Sequence, residues 1–168
     1  IIEDSVAVEE PLEIQLVYEV ENQRLSTPIS VTMRTPGNDV ELALGFLVTE
    51  GILKSINEVE EAKQNSFDQN KVLVTLKTHV QPELKKLERN FYTSSSCGVC
   101  GKSSIEAVTI ACERLPNDSI LIASDSIKQL AQTIRNEQNL FSSTGGIHAS
   151  AFVDFNGKLL FLREDLGR

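Results

Sequence analysis

Leu12, Ile14, Leu16, Tyr18 and Val20 alternate with Glu13, Gln15, Val17 and Glu19, and no other feature of the chain narrows its folding choices as much. A period of two puts every second side chain on one face, the pattern of a strand buried on one side. Glu21-Asn22 then offers a turn, and Ile29, Val31 and Met33 resume the alternation, so the segment predicts a β-hairpin. Thr35-Pro36-Gly37-Asn38-Asp39 breaks the pattern. Asn38 is the predicted cap of a helix, with Glu41 three residues on in capping-box position. Val40, Leu44, Leu47 and Val48 recur at helical spacing, and Gly51 is a plausible stop. Asn57–Gln64 and Lys71–Thr78 read as two further strands, and Pro82 can open a short helix over Glu83–Arg89.

Ser94 to Lys102 carries three serines and two glycines and has no periodicity, so it reads as a loop. Ser103 or Ser104 can cap a helix through Ile105, Val108 and Cys112. Ile120–Ala123 reads as a short strand, and Ser124 as the cap of a helix through Ile127, Leu130 and Ile134. Ser142-Ser143-Thr144-Gly145-Gly146 reads as a second loop of small residues. Ala149–Phe155 and Lys158–Leu162 flank Asn156-Gly157, a strong hairpin signal. The expected fold class is therefore mixed α/β (α+β). Residues 1–93 are expected to form an N-terminal lobe of hairpin and helix, and residues 94–168 to begin a second domain.

Composition removes several functions. The formal net charge is −8, there is no Trp, and aromatics make up 5%. Sequence-independent nucleic-acid binding wants a basic surface and stacking platforms, so no nucleic-acid partner is expected. The longest apolar run, Ala43–Val48, is too short to cross a bilayer. The acidic N-terminus does not resemble a signal peptide. With three cysteines, Cys97, Cys100 and Cys112, the chain is no disulfide framework, and a cytoplasmic location is expected.

In a reducing compartment a close cysteine pair is more often reactive or metal-binding than structural. Cys97-x-x-Cys100 can supply half of a zinc site, exchange disulfides, or carry a persulfide. A zinc site needs further ligands. There is no second Cys-x-x-Cys, Cys112 reads as a core residue, and His79 and His148 are the only histidines. Cys97, Cys100 and His148 could form a catalytic zinc set, though the order and neighbours differ from those of zinc deaminases. Thioredoxin-like exchange would want a preceding βαβ strand, which the upstream pattern lacks. A persulfide carrier needs an exposed, mobile, readily ionised thiol. A loop of serines and glycines beside Lys102 and a helix start suits that need. No tightly bound metal is expected.

Two further segments are candidates for binding. In Thr144-Gly145-Gly146-Ile147-His148 small residues would allow close backbone approach, and the amides could cradle phosphate. In Glu164-Asp165-Leu166-Gly167-Arg168 the guanidinium could grip phosphate as a fork. A tight turn and a solvated charged turn account for the same residues.

Taken together these segments resemble the FdhD family of formate dehydrogenase accessory sulfurtransferases. The resemblance rests on Ser95-Ser96-Cys97-Gly98-Val99-Cys100-Gly101-Lys102, on Thr144 to Ala149, and on Glu164 to Arg168. It extends to Glu10-Pro11-Leu12-Glu13-Ile14 and to Thr35-Pro36-Gly37-Asn38-Asp39 with Glu41-Leu42-Ala43, Gly45-Phe46-Leu47 and Glu50-Gly51-Ile52. It implies a persulfide-forming sulfurtransferase. Sulfur would pass from a cysteine desulfurase, through Cys97 assisted by Cys100, to the molybdenum of the bis-guanine-dinucleotide molybdopterin cofactor used by formate dehydrogenase. Thr144, Gly145, Gly146, His148, Glu164, Asp165 and Arg168 would shape the cofactor surface. It further implies a cytoplasmic homodimer and a cytidine-deaminase-like second domain without the deaminase zinc. The family's chains run on past the segment matching Arg168, into a portion that helps hold the guanine dinucleotide.

Overall fold

The computed structural model describes residues 4–84 and 119–167. They fall into two compact units, one drawn from Glu10–Ala111 and the other from Ile1–Glu9 and Cys112–Arg168. The expected loop at 94–102, the helix ending at Cys112, most of the helix over 83–89, the expected domain boundary at 93/94 and Arg168 all lie outside the described residues.

The first unit is a four-stranded sheet of order β2-β1-β4-β3. Strand β1 (Glu10–Val20) and β2 (Gln23–Arg34) form the expected antiparallel hairpin. Glu21 and Asn22 take φ of 49° and 64°, the two left-handed residues of a tight turn whose twist matches the strands. Helix α1 (Asp39–Thr49) follows. A second hairpin pairs β3 (Val59–Gln64) with β4 (Lys71–Leu76), and β4 lies parallel to β1 at the centre. Asn57 and Glu58, expected in the strand, belong instead to a 3₁₀ turn, Ile56–Glu58, started by the Ser55 hydroxyl, which accepts from the Asn57 amide at 3.1 Å.

The alternation in β1 translates directly into burial. Leu12, Ile14 and Leu16 are fully buried and Tyr18 nearly so, whereas Val20 is exposed. Val72, Val74 and Leu76 of β4 extend the same face. Ala43 and Leu47 of α1, with Ile52 and Leu53 after it, complete the core. Burying each large aliphatic side chain contributes about 1.5–3 kcal/mol.

Strand β2 departs from its sequence pattern. Ile29 is buried, but Val31 and Met33, expected to share its face, are exposed, while Ser30 and Arg34 are buried. The cause is a bulge: Ile14 pairs with Ser30 and Gln15 with Pro28, leaving Ile29 as the extra residue. One inserted residue exchanges the two faces of the remainder of the strand. Pro28, which lacks an amide donor, is tolerated because β2 is an edge strand.

The expected capping box at α1 is not formed. Asn38 occupies the cap position with no side-chain hydrogen bond to the helix. Its carbonyl accepts from the Leu42 amide at 3.0 Å. Gly37 before it takes φ of +138°, a conformation that side chains resist.

The second unit contains α2 (Ser124–Glu137), α3 (Asn139–Thr144) and a two-stranded sheet of β5 (His148–Val153) and β6 (Leu159–Asp165). Ile120–Ala123 is not a strand. Ala123, not Ser124, is the cap of α2, and it supplies only its carbonyl, which accepts from the Ile127 amide. The Ser142–Thr144 stretch, expected as loop, is the second half of α3. Its hydroxyls bond back to backbone carbonyls: Ser142 to Gln138 at 2.7 Å and Thr144 to Leu140 at 2.7 Å. Helical backbone thereby absorbs polar groups whose composition suggested a loop. The hairpin at Asn156-Gly157 forms, with Gly157 alone at positive φ and the Asp154 carboxylate accepting from the amides of Asn156 and Lys158. Among the described residues no helix is long and apolar enough to cross a membrane.

Candidate functional site

The hairpin of the second unit brings two of the sequence motifs together. β5 begins at His148 and β6 ends at Asp165, and these two residues are direct partners in the antiparallel register. Ala149 stands opposite Glu164 in the same way. Thr144-Gly145-Gly146-Ile147 leads into β5 from α3, so the glycine pair and the acidic pair occupy one end of one small sheet. Ile147 is buried and anchors the start of β5, whereas His148 is exposed.

Glu164, Asp165 and the Gly145 amide each have defined hydrogen-bond partners. The Glu164 carboxylate accepts from the Leu140 amide at 2.9 Å and the Phe141 amide at 2.8 Å. It thus satisfies two of the donors that the first turn of α3 leaves unpaired. Asp165 accepts from the Gly167 amide at 2.7 Å, closing the turn after β6. A Cβ on Gly167 would stand 3.1 Å from that carboxylate oxygen, a close approach that the Asp165 side chain would have to relieve by a small shift. Gly145 adopts φ of +70° as the left-handed cap of α3, and its amide donates to the Phe141 carbonyl at 2.8 Å. The Gly145 amide, read from sequence as a possible phosphate donor, is therefore occupied. Gly146 stands in open space, with only the Thr144 carbonyl at 4.0 Å from a notional Cβ. The Arg135 guanidinium lies 3.4 Å from the centre of the Phe141 ring, tying α2 to α3.

Glu164→Ala is expected to leave the Leu140 and Phe141 amides without their acceptor and to cost about 0.5–2 kcal/mol locally. Amide hydrogen exchange at 140–146 should quicken in this variant while β1 and β4 keep their protection. Unchanged exchange at Leu140 and Phe141 would refute the capping role.

A second polar constellation, in the first unit, has no sequence signature of its own. Arg34, 1% exposed, ends β2 and forks onto Asp39 at the start of α1, with Nε to Oδ1 at 2.9 Å and Nη2 to Oδ2 at 3.0 Å. Nη2 also donates to Asn70 Oδ1 at 2.9 Å, and Gln64 Nε2 donates to Asp39 Oδ2 at 3.0 Å. Beside the pair lies a cavity of about 520 Å³ lined by residues of β1, β2, α1 and the β3–β4 loop. The one available signal was the Pro36-Gly37 break between an arginine and an aspartate, too common a juxtaposition to single out. Among the described residues no three of His, Cys, Asp and Glu gather as metal ligands. Cys97, Cys100 and Arg168 lie outside those residues, so the second unit's hairpin end holds the described part of the candidate site.

An α+β chain of two units, one a four-stranded sheet under a helix and the other a helix pair with a hairpin, is the class that this architecture defines. The family model described as FdhD/NarQ matches residues 7–168, and the chain belongs to that family. It is 39% identical over 176 residues to the sulfur carrier protein FdhD of Mycobacterium tuberculosis, covering 98% of this chain and 61% of that protein. With the sulfur carrier protein FdhD of Picrophilus torridus the identity is 41% over 167 residues, covering 99% of this chain and 60% of that one. The chain thus spans about three fifths of the length of these relatives. Among solved structures, one described as a formate dehydrogenase accessory protein from Desulfotalea psychrophila matches with a TM-score of 0.62 at 21% identity. That match covers 98% of this chain and 56% of the other, and it shows a shared fold.

Proposed function

We propose that the chain belongs to a sulfur carrier that loads Cys97 from a cysteine desulfurase and delivers the sulfur to the molybdenum cofactor of formate dehydrogenase. One observation carries the reading: the FdhD/NarQ match runs from residue 7 to residue 168 and so includes Cys97-x-x-Cys100 together with both hairpin-end motifs. The relatives named as sulfur carriers support it.

The chemistry follows from thiolate reactivity. The Cys97 thiolate attacks the outer sulfur of a persulfide on the donor. A Cys97 Sγ–S bond forms, the donor's S–S bond breaks, and the donor cysteine leaves as thiolate. Cys100 then attacks Cys97 Sγ, releasing the outer sulfur as hydrosulfide and leaving a Cys97–Cys100 disulfide. The two cysteines supply the two electrons, and a cellular thiol reductant restores them. The acceptor, taken here as substrate, is the bis-guanine-dinucleotide molybdenum cofactor, whose phosphates would meet Gly146, His148 and Arg168. In this reading Thr144, Gly145, Glu164 and Asp165 shape the surface instead of contacting the cofactor through free donors. The carrier acts in the cytoplasm as a homodimer.

Incubating the protein with a cysteine desulfurase and cysteine, followed by peptide mass spectrometry, tests the reading. The expected product is a dithiothreitol-labile adduct of about +32 Da on Cys97, one added sulfur atom. An adduct confined to Cys100 or Cys112, or none at all, would overturn it.

A further inference from the structure

The Asn156-Gly157 turn of the second unit takes no part in the proposed sulfur transfer, but it joins two groups that can react with each other. It is the one asparagine–glycine step in the sequence. The fold demands the glycine: Gly157 has φ of +82°, and a Cβ there would meet the Ser126 Cβ of α2 at 3.4 Å. A glycine also leaves its amide nitrogen unshielded, which makes it the least hindered nucleophile that a preceding asparagine carboxamide can meet. Asn156 is exposed, and among the described residues its carboxamide makes no hydrogen bond. Asn65, followed by the small Ser66, is the contrast: its Oδ1 accepts from the Phe67 amide at 2.8 Å, which holds the carboxamide in place. What restrains Asn156 is the turn itself. The Gly157 amide donates to the Asp154 carbonyl at 3.0 Å, and the Asp154 carboxylate accepts from the amides of Asn156 and Lys158, each at 2.9 Å. Among the described residues these bonds close the tip of a two-stranded sheet, where local opening costs little.

We propose that Asn156 is a site of spontaneous deamidation, gated by opening of the Asp154–Lys158 turn. Once the turn opens, the Gly157 amide loses its acceptor and can rotate toward the Asn156 side chain. Its nitrogen gives up its proton to solvent base and attacks Asn156 Cγ. An N–Cγ bond forms, the Cγ–Nδ2 bond breaks, and Nδ2 takes a proton from solvent and leaves as ammonia. The product is a five-membered succinimide. Water then adds to one of its two carbonyls and opens the ring. Addition at Cγ gives aspartate, and addition at the main-chain carbonyl gives isoaspartate, whose backbone is one methylene longer. No electrons are exchanged, and water is the sole co-reactant. Either product places a new carboxylate two residues from Asp154, so like charges crowd the turn. Isoaspartate also lengthens the connection between β5 and β6, whose far end holds the His148–Asp165 pairing.

The test is incubation of the 168-residue chain at neutral pH and physiological temperature, sampled at intervals by peptide mass spectrometry. The peptide containing Asn156 should gain about 1 Da before any other asparagine peptide does, and should split into aspartyl and isoaspartyl forms of equal mass. Asp154→Ala removes the acceptor of two turn amides and should speed the conversion about five- to thirtyfold. Loosening of the turn and loss of the whole hairpin act in the same direction, since either frees the Gly157 amide. Asn156→Gln should stop the gain over the same interval, because glutamine would have to close a six-membered ring. Faster conversion at Asn65 or any other asparagine, persistence of the gain in Asn156→Gln, or an unchanged rate in Asp154→Ala would each overturn the proposal.

Discussion

Under the proposed carrier role, Cys97→Ala is expected to lower formate dehydrogenase activity in complemented cells by on the order of a thousandfold, since the variant cannot hold sulfur covalently. A thiolate is the nucleophile in persulfide formation, and neither a methyl group nor a hydroxyl can replace it. Cys97→Ser should therefore fail to the same degree, which separates lost chemistry from lost packing. Cys100→Ala behaves differently under the proposed sequence of steps. It should still acquire sulfur on Cys97 but release it slowly, so the adduct accumulates while dehydrogenase activity falls. The measurement is dehydrogenase activity in cells whose own carrier has been deleted, complemented with each variant, alongside mass spectrometry of the carrier. Full activity with Cys97→Ala would reduce the protein to a non-covalent binder of the cofactor and end the carrier reading.

What sequence could reveal divides along physical lines. Period-two alternation reports burial on one face, and in β1 it located Leu12, Ile14, Leu16 and Tyr18 correctly. It failed in β2 because a single bulged residue, Ile29, reverses the faces beyond it, and nothing local in Ser26 to Arg34 marks that position. Composition misread Ser142–Thr144, since serine and threonine hydroxyls that favour loops can also bond to preceding helical carbonyls, as they do here. The hairpin-end motifs were visible as residues, but their meeting was not. The pairing of His148 with Asp165 depends on the register of β5 and β6. The engagement of Glu164 by the Leu140 and Phe141 amides depends on a helix that composition hid. Cys97-x-x-Cys100 is the opposite case, a local pattern that spacing alone marks as a reactive or metal-binding thiol pair, while the persulfide reading draws on its loop and on the family resemblance.

The Arg34–Asp39 pair is where sequence reading fell furthest short, and it carries the largest expected effect on stability. Asp39→Ala should destabilise the first unit by about 3–5 kcal/mol, because it leaves a buried guanidinium without its counter-ion. Arg34 and Asp39 are five residues apart, at the end of an edge strand and the start of a helix, and their two hydrogen bonds of 2.9 and 3.0 Å close the Thr35–Asn38 turn. The same carboxylate accepts from Gln64 of β3, while Arg34 donates to Asn70 in the β3–β4 loop, so one ion pair links both hairpins to α1. Removing the charge on one side strands the other, and water cannot reach a residue that is 1% exposed. The double replacement Arg34→Met with Asp39→Leu should cost far less than Asp39→Ala alone, since no uncompensated charge remains. Urea unfolding of the single and double variants, followed by circular dichroism, measures the difference. A loss under about 1 kcal/mol for Asp39→Ala, the range of an exposed ion pair, would mean that the guanidinium finds solvent or another acceptor. In that event Glu10 is the nearest candidate, at 3.5 Å from Nη1, and combining Asp39→Ala with Glu10→Gln should then restore the full destabilisation.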